Sequence, residues 1–373
     1  DKDHRTGQGV RVNPRKVQVE ADDLLGGGGG GQKSRGLKTA EDALQIGTVR
    51  MVDSADLCDG DILVTVSGVG APSKKEAMYL TSHYLCALDL LEQQMDLPIA
   101  GFIPSEMGAS AAFGPFIAAA AKGLPIIDAA CDGRAHPLGT MGALGLAADP
   151  LYQTMQAACG GRREGRTYIE VFSFGAVAAT SQASCMAAGI AGGLATVVRN
   201  PVPASYLRSH AAIGCYTTAM ELGRTVLSAS SPSEKAAAAA QYLGGSVVCA
   251  GTITKYELAS AMGFDHGYCM VSAKTGEYFL SFFNEFMTLE QAGRRLATFP
   301  DLITMLDAAT GEPVLTADIQ TEKEVILILV PHTSIQLGAG LRYRTEYERV
   351  ESILGRSLLP LSLIRISEPT RQA

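Results

Sequence analysis

The residues able to do chemistry gather in three short stretches. Residues 67–73 (SGVGAPS) and 104–110 (PSEMGAS) carry glycines and one carboxylate, Glu106. Residues 128–137 (DAACDGRAHP) add Asp128, Asp132, Arg134 and His136. Carboxylates beside an imidazole suit general acid–base catalysis, in which a positioned side chain takes or gives the proton that moves in the transition state. Asp132 and His136, at i and i+4 with further carboxylates nearby, are also a palette for a divalent metal ion. Arg134 offers forked donors to a carboxylate or carbonyl oxygen. Gly70 and Gly108 leave room for close backbone approach. Each residue has a purely structural role open to it as well. Glu106 suits a helix cap, Asp128 suits loop amides, Asp132 and His136 suit a local hydrogen bond, and Cys131 suits a buried thiol.

A run of six glycines, 26–31, precedes a helical segment at 39–46. Such a run is either a flexible linker or a nest of backbone N–H groups around a ligand, with Gly28, Gly29 and Gly30 at its centre. No Gly-Lys-Ser/Thr follows it, as a phosphate-binding loop needs, so no nucleotide cofactor is expected.

The elements around these stretches give them a common place. Residues 62–66 (ILVTV) form a short β-branched run and read as a buried strand. Ser73 and Glu76 are spaced as a capping box, predicting a helix from there to Met95. Residues 98–103 are a second strand, an Ala-rich helix ends near Lys122-Gly123, and residues 125–128 are a third strand. The order β-α-β-α-β predicts a parallel sheet, in which ligands bind beyond the carboxyl ends of the strands. All three stretches leave such ends, so Glu106 and Asp128 are expected to converge on one crevice.

Beyond Gly165 the pattern changes. A strand at 167–172 and helices at 180–190, 211–227 and 232–243 lead into strands at 246–256, 267–271, 277–286, 302–306 and 324–330. The fold class is therefore α/β: an N-terminal parallel-sheet α/β domain over 20–165, followed by a β-rich α+β domain over 166–355. Residues 356–373 have no clear period and resemble translated sequencing adapter, so they are set aside as a non-native tail.

Composition narrows the partners. The chain has 373 residues and a net charge of −7, with 31 basic against 38 acidic side chains, which excludes the basic face a nucleic-acid binder needs. The eight cysteines include no CxxC pair, consistent with reduced thiols in the cytoplasm. The uncharged stretch 171–198 is too rich in Ala, Gly, Ser and Thr for a membrane span, so no membrane partner is expected. Whether the chain forms a homo-oligomer is left open.

Several local motifs in order resemble one family over roughly 20–350. They are Leu24-Leu25 with the glycine run, Gly70-Ala71-Pro72, Glu106-x-Gly108, Pro125-x-x-Asp128 and Gly133-Arg134-Ala135. Downstream come Gly251, Gly263-Phe264, Asn284-Glu285, residues 297–303 (ATFPDLI) and Gly311-Glu312-Pro313. The pattern resembles the family named for S-methyl-thiohydantoin desulfurase. The resemblance implies two domains, hydrolytic chemistry on a hydantoin-type ring, Asn284 and Glu285 at the substrate, and a hydantoinase/oxoprolinase-type partner. It departs from the family at Gln32-Lys33 (commonly Asp-Pro), Ala111 (Asn), Ala130 (Asp), Leu138 (acidic) and Phe283 (Gln).

Together these readings predict a hydrolase for a small nitrogen heterocycle. Glu106 or Asp128 would be general base, Asp132 would stand beside them, and His136 would be acid or metal ligand. Arg134 or loop amides would hold a ring carbonyl or carboxylate. The alternative is a degenerate member that binds a small ligand, or a partner enzyme, without turnover.

Overall fold

The computed structural model describes residues 10–11, 16–70, 76–261 and 264–359. The first strands are β1 (Val10–Arg11), β2 (Arg50–Val52), β3 (Ile62–Gly70), β4 (Ile99–Pro104), β5 (Ile126–Ile127) and β6 (Ala129–Ala130). They are followed by β7 (Gln153–Gly160), β8 (Ile169–Ala176), β9 (Leu194–Pro203) and β10 (Ala212–Ile213). The helices among them are α1 (Lys16–Leu25), α2 (Lys33–Ile46), α3 (Thr81–Glu92), α4 (Gly114–Lys122), α5 (Val177–Ile190) and α6 (Ala204–His210). One eight-stranded sheet runs β1-β2-β5-β4-β3-β9-β7-β8, and β6 pairs with β10 in a small ladder of its own. The sheet is parallel from β2 through β5 and β4 to β3, then antiparallel through β9, β7 and β8.

Local chemistry accounts for these elements. In β3, Leu63, Val64, Thr65 and Val66 are buried, as a central strand covered on both faces requires. Helix α4 opens with Pro115 in its first turn and stops at Gly123, whose φ of 65° lets the chain leave the helix without a Cβ penalty.

Helices α7 (Cys215–Leu227) and α8 (Pro232–Tyr242) then lead into seven antiparallel strands. These are β11 (Ser246–Ala261), β12 (Phe264–Ala273), β13 (Gly276–Phe283), β14 (Glu285–Gln291), β15 (Arg294–Thr298), β16 (Leu302–Asp307) and β17 (Glu324–Val330), in the order β15-β14-β13-β12-β11-β17-β16. Helix α9 (Arg344–Leu354) follows. The α/β fold with a parallel-containing first sheet and a β-rich second region matches the class expected from the sequence. The two regions share a core: Leu24, Phe113, Phe116 and Tyr216 belong to one buried cluster with Leu302, Leu306 and Ile328.

Several details differ from the sequence reading. Helix α3 starts at Thr81, where Leu80 is still extended, rather than at Ser73; residues 71–75, which hold most of the expected capping box, lie outside the described residues. The single strand expected at 277–286 is two, because Asn284, at φ 57°, turns the chain back so that β14 pairs with β13 as a hairpin. Strands β8 and β9 extend the first sheet past residue 165. Ser357 and Leu358 are packed. Leu358 is fully buried, its N–H donates to Glu351 (2.5 Å), and the Ser357 carbonyl accepts from Arg295 (2.9 Å). Residues 360–373 lie outside the described part.

Candidate functional site

A cavity of about 500 Å³ lies where the glycine run, the carboxyl ends of β3 and β4, and the turn between β13 and β14 meet. The glycines are no linker. Gly27, Gly28, Gly30 and Gly31 all have positive φ, between 56° and 88°. Their carbonyls are tied to the fold. Gly28 accepts from Thr316 N (2.8 Å), Gly27 from Phe286 N (2.9 Å), and Gly30 from Ser110 N (2.9 Å). A Cβ on Gly29 would overlap the Glu285 carboxylate. Gly28, Gly29 and Gly30 line the cavity, as does Gly70 at the end of β3. Gly108 does not; it packs on Gly30, and a Cβ there would come within 2.5 Å of the Gly30 Cα.

Glu106 forms part of the cavity wall. The chain after β4 stays extended beside the chain after β6, so Asp132 N donates to Ser105 O (3.1 Å) and Met107 N to Asp132 O (3.2 Å). That ladder delivers His136 to Glu106. The His136 backbone N–H donates to Glu106 Oε2 (3.1 Å). Its ring Nε2 stands 3.3 Å from Ser105 O, 3.5 Å from Glu106 Oε2 and 3.6 Å from Asp132 Oδ2. A nitrogen facing three oxygens carries the ring proton. His136 is therefore a neutral imidazole that donates to Ser105 O beside Glu106, and burial, reinforced by Arg199, holds its pKa down at about 3. The role expected for it from the sequence was acid or metal ligand.

The carboxyls shift the other way. Burial raises Glu106 to about 7, against the pull of the His136 amide and of Arg199 and Arg134. Burial also pushes Asp132 and Glu285 well above the carboxylate range, with the Glu106 charge adding to both. Asp132 sits behind His136 rather than on the wall, its Oδ1 accepting from Gly338 N (2.9 Å). Glu285 lines the cavity beside Asn284. Asn284 is fixed by paired bonds with Asp265: its N–H reaches Asp265 O at 2.6 Å, and its Oδ1 accepts from Asp265 N at 2.9 Å.

Two expected site residues are elsewhere. The Asp128 carboxylate turns away from Glu106 and caps α7, accepting from Tyr216 N (2.8 Å), Thr217 N (3.2 Å) and Thr217 Oγ1 (2.5 Å). The four open amides at the start of that helix outcompete the crevice. Arg134 is fully buried behind the glycine turn. It donates to Ala135 O (3.0 Å), Pro300 O (3.2 Å) and Asp301 O (2.5 Å) and lies over the Phe299 ring. Its donors brace the chain instead of facing the cavity. Cys131 is the buried thiol expected, raised to about 12 by burial. Among the described residues no group of three His, Cys, Asp or Glu side chains is placed to hold a metal ion. No helix there is long and apolar enough to cross a membrane.

The sequence reading missed Arg199, Asp265, Asp318, Arg35 and Tyr79 on the cavity wall. Arg199 had a signal: it is the first charge after the long uncharged run, inside what proves to be a buried strand. Of the positions that depart from the resembled family, Gln32 and Ala111 line the cavity, while Ala130, Leu138 and Phe283 are buried among apolar side chains outside it.

No curated protein matches the chain. A crystal structure of a protein from Chromobacterium violaceum is similar at 19% identity, with a TM-score of 0.70 over 91% of this chain and 94% of that one, which speaks to fold alone. The family model for the S-Me-THD-like N-terminal domain matches residues 22–170, and the one for the C-terminal domain matches 178–341. Nearly the whole described chain is thus covered in order by the two halves of one architecture, and the protein belongs to the S-Me-THD-like family.

Proposed function

We propose that this cavity hydrolyses a small nitrogen heterocycle of the S-methyl-thiohydantoin or hydantoin type, releasing a thiol where the ring carries one. The observation that carries this reading is the pair Glu106 and Glu285. Two carboxyls share one cavity, the first raised to about 7 and the second well above its ordinary value. Two buried carboxyls that repel each other's charge do not readily both ionise, so one keeps its proton as acid while the other serves as base.

Glu106, partly ionised near neutrality, takes a proton from water as the oxygen bonds to the ring carbon bearing sulfur. The carbon–sulfur bond then breaks. Protonated Glu285 gives its proton to the departing thiolate and regains one from the attached hydroxyl as the ring carbonyl forms. The proton taken by Glu106 passes to the ring nitrogen, so both carboxyls return to their starting states. His136 holds Glu106 in place through its backbone N–H, with its ring Nε2 3.5 Å from the same carboxylate oxygen.

A second reading, binding without turnover, is favoured by Ala111 and Gln32, which put an apolar and a neutral side chain on the wall. A thiol-release assay on S-methyl-thiohydantoins, run beside a thermal-shift series with hydantoins, tests both. Turnover that disappears in Glu106→Gln supports the hydrolase, and ligand-induced stabilisation without release overturns it in favour of binding.

A further inference from the structure

Among the described residues two arginines are fully buried, and only one has hydrogen-bond partners. Arg134 donates to three carbonyls through Nε and Nη1, leaving Nη2 alone without an acceptor. Arg199 is 1% exposed and lines the cavity, yet its guanidinium makes no hydrogen bond or ion pair with any described residue, and Nε and Nη1 are buried without an acceptor. A buried cation lacking acceptors is among the costliest groups a fold can carry, and such groups persist where a ligand completes them.

The backbone is bent to put it there. Asn200, next to it, takes φ 54°, a left-handed value for a residue with a side chain. Between the pairs Leu63–Val202 and Thr65–Arg199 the β3–β9 ladder slips, so two residues of β9 stand opposite Val64 alone. A bulge of this kind re-aims the flanking side chain. It is locked from the far side, where Asn200 Oδ1 accepts from Thr154 Oγ1 (3.1 Å) and lies 3.5 Å from Gln156 Nε2. Space is also kept open. A Cβ on Gly139 would stand 2.7 Å from Arg199 Nη1. Glu106 is near enough for its charge to act on Arg199 but does not bond to it, so the guanidinium is left for something else.

From the bare guanidinium, the bulge and the kept space, we infer that Arg199 anchors an anionic oxygen of the ligand. The cavity therefore takes an anionic heterocycle. This deepens the heterocycle reading above and rests on it for the ring. The anionic oxygen comes either from a carboxylate arm or from the deprotonated imide of the ring, and three probes separate these sources. They are a hydantoin with a 5-propionate arm, its primary amide, and glutarate, which has carboxylates and no ring.

Binding is measured by calorimetry to the full chain and to Arg199→Met and Arg199→Lys. The expected result is tighter binding of the acid than the amide by about 10- to 100-fold, the size of a charge-assisted hydrogen bond. That preference should vanish in Arg199→Met and return in part in Arg199→Lys. Equal binding of acid and amide, both weakened by Arg199→Met, assigns the anion to the ring. If only glutarate binds, and does so through Arg199, the anchor stands and the heterocycle reading falls. Ring binding that ignores Arg199→Met, or no binding of any probe, overturns the anchor. The melting temperature is the control. Removing an uncompensated cation leaves Arg199→Met at least as stable as the parent, whereas a drop of several degrees makes Arg199 a structural brace and overturns the proposal.

Discussion

Glu106 and Asp128 start from the same position and end in different environments. Each follows a strand of the parallel part of the first sheet, β4 for Glu106 and β5 for Asp128. Glu106 meets one backbone donor, His136 N, and open cavity. Asp128 meets two amides and a hydroxyl at the start of α7 and is consumed by them. The rule that ligands bind beyond the carboxyl ends of parallel strands locates the loops correctly. It does not say which side chain is left over once every nearby donor has chosen an acceptor. A carboxylate with full local satisfaction keeps its ordinary work as a cap, and one that is buried with too few donors holds its proton more tightly. Burial alone does not separate them; partner accounting does.

The comparison breaks most sharply in kinetics. Glu106→Gln keeps the shape and the acceptor oxygen for His136 N but removes the base. Thiol release should fall by about 10²- to 10⁴-fold, the usual contribution of a positioned acid–base group. Asp128→Asn should leave the rate per folded molecule unchanged. Equal losses in the two variants would mean that Asp128 acts at the cavity after all.

The next largest effect is on pH dependence. Glu106 binds its proton more tightly in the fold, with a pKa raised from 4.5 to about 7 by burial. Its stabilising contribution is complete below about pH 4.5 and is lost as pH rises through 7, at most about 3 kcal/mol. His136 runs the opposite way, since its folded pKa lies near 3 and acid must charge it. The Glu106 contribution should therefore fall between about pH 4.5 and 7 and be flat above, while the His136 contribution rises up to about pH 6.5, so the two oppose and the Glu106 fall is read as the difference between the parent and Glu106→Gln. The rate should rise as pH passes through about 7 and the base ionises. Urea unfolding midpoints at four pH values, unchanged by Glu106→Gln, would count against the raised carboxyl.

The glycine turn sharpens the same contrast, because it closes the cavity on the Glu106 side. A methyl on Gly29 meets the Glu285 carboxylate, while one on Gly28 meets Phe286 and Thr316 and is strained by φ 88° as well. Gly28→Val thus damages the fold itself and is a poor probe of the ligand. Gly29→Ala should cost about 1–3 kcal/mol, a typical overpacking loss, and should lower thiol release further than the lost stability explains. A variant with parental stability and rate would show that Glu285 is free to move without consequence.

What the sequence made legible follows from short-range physics. The strands ILVTV and PIAGFI, and the helix stop at Gly123, are written in β-branched runs and a single glycine, and all are present. Glu106 and His136 were reachable because they sit on loops that strand ends must place together, whereas Asn284 and Glu285 came through the family resemblance and the glycine run through its composition. Strand β7 was not, since Gln153–Gly160 is built of small and polar residues that become a strand only when packed between β8 and β9. Arg199 was hidden for a related reason. Its inward aim comes from a bulge set by the long-range β3–β9 register, which no local pattern encodes. Arg134 looked like a ligand donor because the sequence cannot show that the Pro300 and Asp301 carbonyls, more than 160 positions away, take its protons.

The smallest expected effect is the most exact test of the cap. Asp128→Ala removes the side-chain acceptor shared by the Tyr216 and Thr217 amides in the first turn of α7, so both lose their partner. Loss of such a cap costs about 1 kcal/mol, and up to about 2 where the helix start is well packed, as it is here with Cys215 and Tyr216 buried. Asp128→Asn retains an oxygen that can accept from the same amides, and Asn caps as well as Asp, so it should stay within a few tenths of a kcal/mol of the parent. The ordering parent ≈ Asn > Ala in urea midpoint, with all three releasing thiol at one rate per folded molecule, is the signature of a brace. If Asn and Ala are equally destabilised, the negative charge of Asp128 matters more than its oxygen, and the helix dipole, not hydrogen bonding, is what holds it away from the cavity.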